Sequence, residues 1–111
     1  FENILIKNNL SSYLSINEIE YYLSELGIVN KKDVLCSKLS MGQCQRVAIV
    51  RSLCQPFKWI LMDEPFSHLD NKNANKAFDI IKHKANENNA GIIITSLDDK
   101  IDTFFNKSLN I

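Results

Sequence analysis

Two short apolar runs, separated by a segment of helical length, place the tightest limit on how this chain can fold. The first spans residues 59–62 and reads WILM, and the turn DEP at residues 63–65 ends it abruptly. The second spans residues 92–94 and reads III. Neither run alternates polar with apolar residues, which is typical of strands buried on both faces of a parallel sheet. With a predicted helix over residues 73–87 between them, they indicate a right-handed crossover unit of an α/β fold.

The chain upstream of the first run predicts helices. Residues 15–27 open with a capping box and close with a glycine, and apolar residues recur at helical spacing between them. A second helix is predicted over residues 40–53, because Pro56 prevents its continuation. Residues 107–111 add one more short strand to the predicted sheet.

Composition is that of an ordinary globular domain and excludes several classes of protein. The chain has 111 residues, 45% of them hydrophobic and 23% charged, and its formal net charge is zero. A neutral chain has no global field that would attract nucleic acid or acidic lipid. No apolar run reaches the length of a membrane span. Cys36, Cys44 and Cys54 lack metal-ligand spacing, so we expect free thiols in a reducing compartment.

An acidic pair, Asp63 and Glu64, follows the first predicted strand. Open α/β sheets bind ligands at the carboxyl ends of their strands, where this pair lies. One carboxylate there can hold the water shell of Mg²⁺, and a second can accept a proton from an attacking water. The alternative is a solvated acidic turn, and the pair alone does not decide between these interpretations.

A predicted helix start lies about twenty residues upstream of the acidic pair. Ser40 and Gln43 fit a capping box there, which is a purely structural explanation for both. The same segment suits an anion site, because free backbone N–H groups, the positive end of the helix dipole and a hydroxyl converge, while Gly42 permits close approach. Downstream of the pair, residues 67–70 read SHLD.

Together these segments resemble three ordered motifs of the ATP-binding-cassette ATPases. Residues 39–70 read LSMGQCQRVAIVRSLCQPFKWILMDEPFSHLD and are similar to the signature, Walker B and D-loop run of that family. The resemblance implies a helical subdomain with the signature motif over residues 1–55. Residues 56–111 would then form the C-terminal half of a P-loop NTPase sheet. The family's phosphate loop, adenine-contacting aromatic and Q-loop glutamine have no counterpart in this segment, which we therefore expect to be inactive alone.

The resemblance also implies roles for individual residues. Asp63 would act on Mg²⁺ through water, and Glu64 would be the general base that polarises the hydrolytic water. Asp70 would be the D-loop aspartate that couples two sites across a dimer. The residues implied to touch the γ-phosphate of ATP held by the opposite subunit are Ser40, Gly42 and Gln43.

One element departs from the family pattern. The family places a switch histidine after the strand that follows Walker B, whereas residues 94–98 read ITSLD. Leu97, or Ser96 if the register differs by one, stands at that position, and neither histidine of the chain does. Because leucine cannot donate a hydrogen bond to the γ-phosphate, we expect slowed hydrolysis with intact nucleotide-driven dimerisation. The alternative is that Leu97 packs beneath the loop while Ser96 or Thr95 supplies a hydroxyl.

The resemblance predicts the ATPase subunit of an ABC transporter, which powers transport as ATP is sandwiched between two such domains. It implies ATP and Mg²⁺ as cofactors, and a second nucleotide-binding subunit, in a homodimer, and a membrane-spanning permease as partners. We expect no nucleic-acid partner and a cytoplasmic location on the inner face of the membrane. The alternatives are a soluble family member that acts on nucleic acid or ribosomes, and a hydrolysis-impaired cassette.

Overall fold

The computed structural model of the protein describes residues 16–28, 30 and 36–97. Its helices and strands follow in the order α1 (Ile16–Glu25), a short 3₁₀ helix (Cys36–Lys38), α2 (Met41–Ser52), β1 (Trp59–Asp63), α3 (Asn71–Glu87) and β2 (Gly91–Thr95). The strand predicted over residues 107–111 and the cap predicted at Ser15 lie outside the described residues. Within them, none of the helices combines the length and the apolarity that crossing a membrane requires.

Helix α1 ends where the sequence predicts. Gly27 adopts φ 71°, a left-handed conformation that glycine reaches without steric cost. This turn lets the N–H of Ile28 donate to the carbonyl of Leu23 at 2.8 Å, which closes the helix. The face formed by Ile19, Tyr22 and Leu23 is buried, which confirms the predicted apolar side.

Polar side chains define where α2 and α3 begin. At α2, Oγ of Ser40 accepts from the N–H of Gln43 at 3.1 Å, and Oε1 of Gln43 accepts from the N–H of Ser40 at 3.0 Å. This reciprocal pair confirms the predicted capping box. Helix α3 begins two residues earlier than predicted, because Asp70 caps it by accepting from the N–H of Asn73 at 2.8 Å.

Strands β1 and β2 pair in parallel, with Ile60 opposite Ile92 and Asp63 opposite Thr95. Since α3 connects them, the predicted strand–helix–strand unit is confirmed. The prediction that the first strand is buried on both faces, however, is wrong. Trp59 is 61% exposed and Leu61 is 70% exposed, while Ile60 is buried. Side chains alternate along a strand, and within the described residues the core cluster covers only the Ile60 side of the sheet.

Gly91 leaves room for the Trp59 ring at the first residue pair of the β1–β2 ladder. Gly91 lies opposite Trp59, and a Cβ on Gly91 would overlap the Trp59 ring. The indole therefore occupies the space that any other side chain at position 91 would need.

The core lies among the three α-helices and the covered face of the sheet. Cys54 is fully buried within it, and its thiol donates to the carbonyl of Val50 at 3.4 Å. Within the described residues, neither Cys54 nor the half-buried Cys44 forms a disulfide, which agrees with the thiols predicted at these two positions. The largest fully buried side chains are Ile19, Leu23, Leu26, Ile28, Val50, Leu53, Cys54 and Ile81.

One buried lysine ties α1 to α3. Lys84 is 4% exposed, and its Nζ donates to Glu87 at 2.9 Å and to Glu18 at 3.3 Å while lying 5.8 Å from the centre of the Tyr22 ring. Burial lowers the pKa of Lys84, but the hydrogen bonds to the two carboxylates outweigh it, so the pKa is raised overall. The hydrogen bond from Lys84 lowers the pKa of Glu87.

We expect Lys84→Met to lower stability at pH 7 by about 1 kcal/mol, because the thioether keeps the packing of the stem but loses the ion pairs. Because the pKa of Glu87 is depressed in the folded state, its contribution is present above its unfolded pKa and is lost as pH falls through the folded value. The destabilisation should therefore shrink at about pH 3.

Thermal unfolding of the full chain at both pH values measures this difference. Lys82→Met is the matched control, since Lys82 is exposed on the same helix. A Lys84→Met deficit that is equal at both pH values would show that lost packing, and not the ion pair, accounts for it.

Candidate functional site

The acidic pair stands at the carboxyl end of the sheet, as the sequence predicts. Asp63 is the last residue of β1, and Glu64 follows it with φ 48°. A residue other than glycine in this left-handed region costs about 1–3 kcal/mol and persists only when its surroundings hold it. The N–H of Glu64 donates to the carbonyl of Thr95 at 2.8 Å, which anchors the turn to the end of β2.

The end of β2 also supplies donors to both carboxylates. Oγ1 of Thr95 donates to Oδ1 of Asp63 at 2.6 Å. Oγ of Ser96 donates to Oε2 of Glu64 at 3.2 Å, and the backbone N–H of Leu97 donates to Oε1 of Glu64 at 2.5 Å. Each oxygen of the Glu64 carboxylate thus has its own donor, so the orientation of the group is set by residues 32 and 33 positions downstream.

Leu97 contributes its backbone and not its side chain. The side chain is 99% exposed, so the alternative in which it packs beneath the loop is wrong. The hydroxyls of Thr95 and Ser96 face the acidic pair. Thr95 donates to the Asp63 carboxylate, and Ser96 donates to the Glu64 carboxylate. The position that resembles the family's switch residue therefore carries no side-chain donor.

The first turn of α2 packs directly on the turn after the acidic pair. A Cβ on Gly42 would lie 2.7 Å from the carbonyl oxygen of His68, closer than such contacts occur. Glycine at position 42 is therefore required inside this chain, before any ligand is considered. Ser40 and Gln43 likewise satisfy each other in the capping box.

Gln45, which no sequence pattern singles out, makes three hydrogen bonds to the same turn. Its Nε2 donates to the carbonyl of Glu64 at 3.0 Å and to Oγ of Ser67 at 2.9 Å, and its Oε1 accepts from the N–H of His68 at 3.0 Å. The available signal was its position three residues after Gly42, which places both on one face of α2.

Asp70 and the two histidines complete the set of polar residues that the sequence singles out. Asp70 is exposed and caps α3. His68 meets the site through its backbone, since its N–H donates to Gln45. His83 lies on the exposed side of α3, where Nε2 is 2.9 Å from Glu87. Neither histidine side chain is thus placed by these contacts at the end of β2.

The carboxylates at the strand end suit a weakly held Mg²⁺, and not a site in which several protein side chains bind the metal directly. Across residues 16–28, 30 and 36–97, no group of three or more His, Cys, Asp and Glu side chains forms a candidate metal cluster. Asp63 offers an exposed carboxylate whose Oδ1 is oriented by Thr95. Mg²⁺ is usually bound through one or two carboxylates, water and substrate phosphates, so Asp63 fits a magnesium–water shell that a nucleotide completes.

A groove of about 570 Å³ also lies between α1 and α3. Its polar lining includes Glu18, Glu25, Asp79 and His83, and neither residue of the acidic pair borders it. The groove therefore lies apart from the two carboxylates of the acidic pair. The converging carboxylates and donors, and not the groove, define the candidate site.

Comparison with known proteins identifies the family of the chain. Residues 1–67 match the family model described as ABC transporter. Since the match covers more than half of the chain, the protein belongs to the ABC transporter family of ATP-binding cassettes.

Several curated relatives are similar over most of the chain. The probable ABC transporter ATP-binding protein PEB1C of Campylobacter jejuni is 40% identical over 68% of this chain and 31% of its own length. The glutamine transport ATP-binding protein GlnQ of Geobacillus stearothermophilus is 41% identical over the same shares. The lipoprotein-releasing system ATP-binding protein LolD of Rickettsia conorii is 36% identical over 86% of this chain and 44% of its own. The chain thus spans under half the length of these relatives.

Solved structures show the same fold. An archaeal ribosome recycling factor, crystallised with a ribosomal stalk protein, gives a TM-score of 0.67 at 30% identity over 82% of this chain and 18% of that one. An ATP-binding cassette of an ABC transporter in its ADP conformation gives a TM-score of 0.56 at 27% identity over 79% of this chain and 35% of that one. The predicted α/β class of a P-loop NTPase is therefore confirmed.

We expect Gly42→Ala to destabilise the protein by about 1–2 kcal/mol, although alanine favours helix more than glycine does. The added methyl would meet the His68 carbonyl at 2.7 Å, and a backbone atom cannot move aside as a flexible side chain can. Chemical denaturation of the full chain measures the change. A gain in stability would mean that helix propensity dominates and that α2 does not press on the turn.

Proposed function

We propose that this protein is the ATP-binding and ATP-hydrolysing subunit of an ABC transporter. The observation that carries the proposal is the acidic pair at the end of β1, with each oxygen of the Glu64 carboxylate held by a donor from the end of β2. Membership of the ABC transporter family and relatives named as ATP-binding proteins of transport systems support it.

In this proposal the two carboxylates divide the chemistry of hydrolysis. Glu64 accepts a proton from the attacking water, because its carboxylate is oriented by Ser96 and Leu97 and is partly solvent-accessible. Asp63 holds the water shell of Mg²⁺, with its orientation kept by Thr95. When bound, Mg²⁺ neutralises phosphate charge.

The start of α2 is proposed to complete the site of a second subunit. Ser40, Gly42 and Gln43 would face the γ-phosphate of ATP held by that subunit, where the helix dipole and backbone N–H groups favour an anion. Oγ of Ser40 accepts from the N–H of Gln43, which leaves its own hydroxyl proton to donate to a phosphate oxygen. Asp70, beyond its cap on α3, is proposed to couple the two sites.

The proposed assembly is a homodimer of this subunit on a membrane-spanning permease, at the cytoplasmic face of the membrane and without nucleic acid. We also propose that residues 1–55 form the helical subdomain and that residues 56–111 form the C-terminal half of the nucleotide-binding core. A ribosome-directed role is the second candidate, since an archaeal ribosome recycling factor gives a TM-score of 0.67. Transport is favoured because several curated relatives are named as transport components.

Glu64→Gln in the full-length subunit should lower steady-state hydrolysis about 10²–10⁴-fold and leave ATP binding intact, since the shape is kept and the proton acceptor is lost. An ATP-dependent dimer should then accumulate in size-exclusion chromatography. Glu25→Gln, at an exposed carboxylate of α1, is the matched control. Near-normal hydrolysis by Glu64→Gln would mean that another group is the base.

A second test separates the two interpretations of Leu97, which stands where the family pattern has its switch histidine. Leu97→His should raise turnover about tenfold to a hundredfold if a lost hydrogen bond to the γ-phosphate limits hydrolysis. Because the Leu97 side chain is 99% exposed, the fold should tolerate the change, and Leu97→Ala should leave turnover unchanged.

Ser96→Ala should lower turnover, by about threefold to tenfold, because one donor to Glu64 is lost while the Leu97 N–H remains. If Leu97→His has no effect and Ser96→Ala is the damaging change, the hydroxyl has replaced the histidine. If only Leu97→His changes the rate, the lost contact explains the departure from the family pattern.

A further inference from the structure

The amide of Gln45 connects α2 to the turn that carries Glu64. All three of its hydrogen bonds, of 2.9–3.0 Å, end on residues 64–68, which lie 19 to 23 positions away in the chain. The contact to the Glu64 carbonyl is partly buried, so water competes weakly for it. Gly42 packs against the same turn at the carbonyl of His68.

Glu64 is held from two sides. Toward β2, its N–H donates to Thr95 and its carboxylate accepts from Ser96 and Leu97. Toward α2, its carbonyl accepts from Gln45. With φ at 48°, the backbone of Glu64 is in a region that a non-glycine residue leaves when its restraints are removed. Loss of the Gln45 contact therefore frees the peptide that aims the carboxylate.

Only a glutamine side chain satisfies this turn. The amide donates two hydrogen bonds, to Glu64 and Ser67, and accepts one from His68. Glutamate has no N–H donor, arginine and lysine have no acceptor, and asparagine is one methylene shorter. Methionine matches the length and the helix propensity of glutamine but lacks the polar pattern.

We propose that Gln45 is a positioning residue for Glu64. Its amide holds the Glu64 peptide in the left-handed conformation and thereby keeps the carboxylate aimed at the reacting water. Because Gln45 lies one turn after Gly42, a movement of the start of α2 also moves Gln45 and, through its hydrogen bond, the peptide of Glu64. The inference rests on the proposed role of Glu64 as general base.

The test compares Gln45→Met and Gln45→Glu with Gln55→Met in the full-length subunit. Gln55 is an exposed glutamine beyond the end of α2 and serves as the matched control. Both Gln45 variants should lower kcat about tenfold to a hundredfold, the size of effect that a misplaced catalytic group produces. KM for ATP should change less than about twofold, because no binding contact is removed.

A double-mutant cycle separates positioning from support of the fold. Under single-turnover conditions, Gln45→Met in the Glu64→Gln background should slow the residual rate less than about threefold, since the group that Gln45 aims is already absent. An equal loss in both backgrounds overturns the proposal. Failure of both Gln45 variants to fold, judged by thermal unfolding, also overturns it.

The outcomes distinguish this inference from the proposed function. If Glu64→Gln alone keeps near-normal hydrolysis, Glu64 is not the base and the proposed function fails. If Glu64→Gln abolishes hydrolysis while Gln45→Met and Gln45→Glu resemble Gln55→Met, only the positioning role of Gln45 is wrong.

Discussion

The parallel pairing of β1 and β2 is the contact on which the candidate site depends. The register places Asp63 opposite Thr95, so that the residues after each strand end meet at one edge of the sheet. Every donor to the two carboxylates from β2 follows from that register. A slip of one residue would turn each side chain to the other face and separate the hydroxyls from the carboxylates. The buried side chain of Ile60 and the packing of α3 hold the register in place.

The turn after β1 depends on contacts from both of its neighbours. The left-handed backbone at Glu64 costs about 1–3 kcal/mol. The hydrogen bonds of its N–H to Thr95 and of its carbonyl to Gln45 are each worth about 1 kcal/mol net. The Glu64 carboxylate also accepts from the Ser96 hydroxyl and from the N–H of Leu97. Contacts from α2 and from the end of β2 therefore hold the turn in this conformation together.

Membership of the ABC transporter family does not by itself decide how this chain orients its acidic pair. The family pattern places a histidine after the second strand, and this chain has Leu97 with an exposed side chain. A serine hydroxyl and a backbone N–H from the end of β2 hold the Glu64 carboxylate. A backbone donor survives any substitution except proline, so this arrangement depends less on side-chain identity than a histidine contact does.

Much of the fold could be predicted from local chemistry. Apolar runs, caps and a terminal glycine are short-range signals, and the glycine at position 27, the capping box at Ser40 and the strand–helix–strand order all lie where those signals predict. Asp63 and Glu64 follow β1 as the strand–turn pattern predicts, since position relative to a strand is itself a local property. The start of α3 differed because Asp70 acts as a cap.

Contacts between distant parts of the chain were decided only by the tertiary structure. The sequence around Gln45 does not show that its amide reaches residues 64–68, because that contact requires α2 to lie against the turn. The same holds for Lys84, whose Nζ donates to Glu18, 66 positions away. Burial of strand faces also failed as a local prediction, since exposure depends on which elements cover the sheet. The chain by itself determined its elements and its acidic pair, whereas packing decided which atoms hold that pair in place.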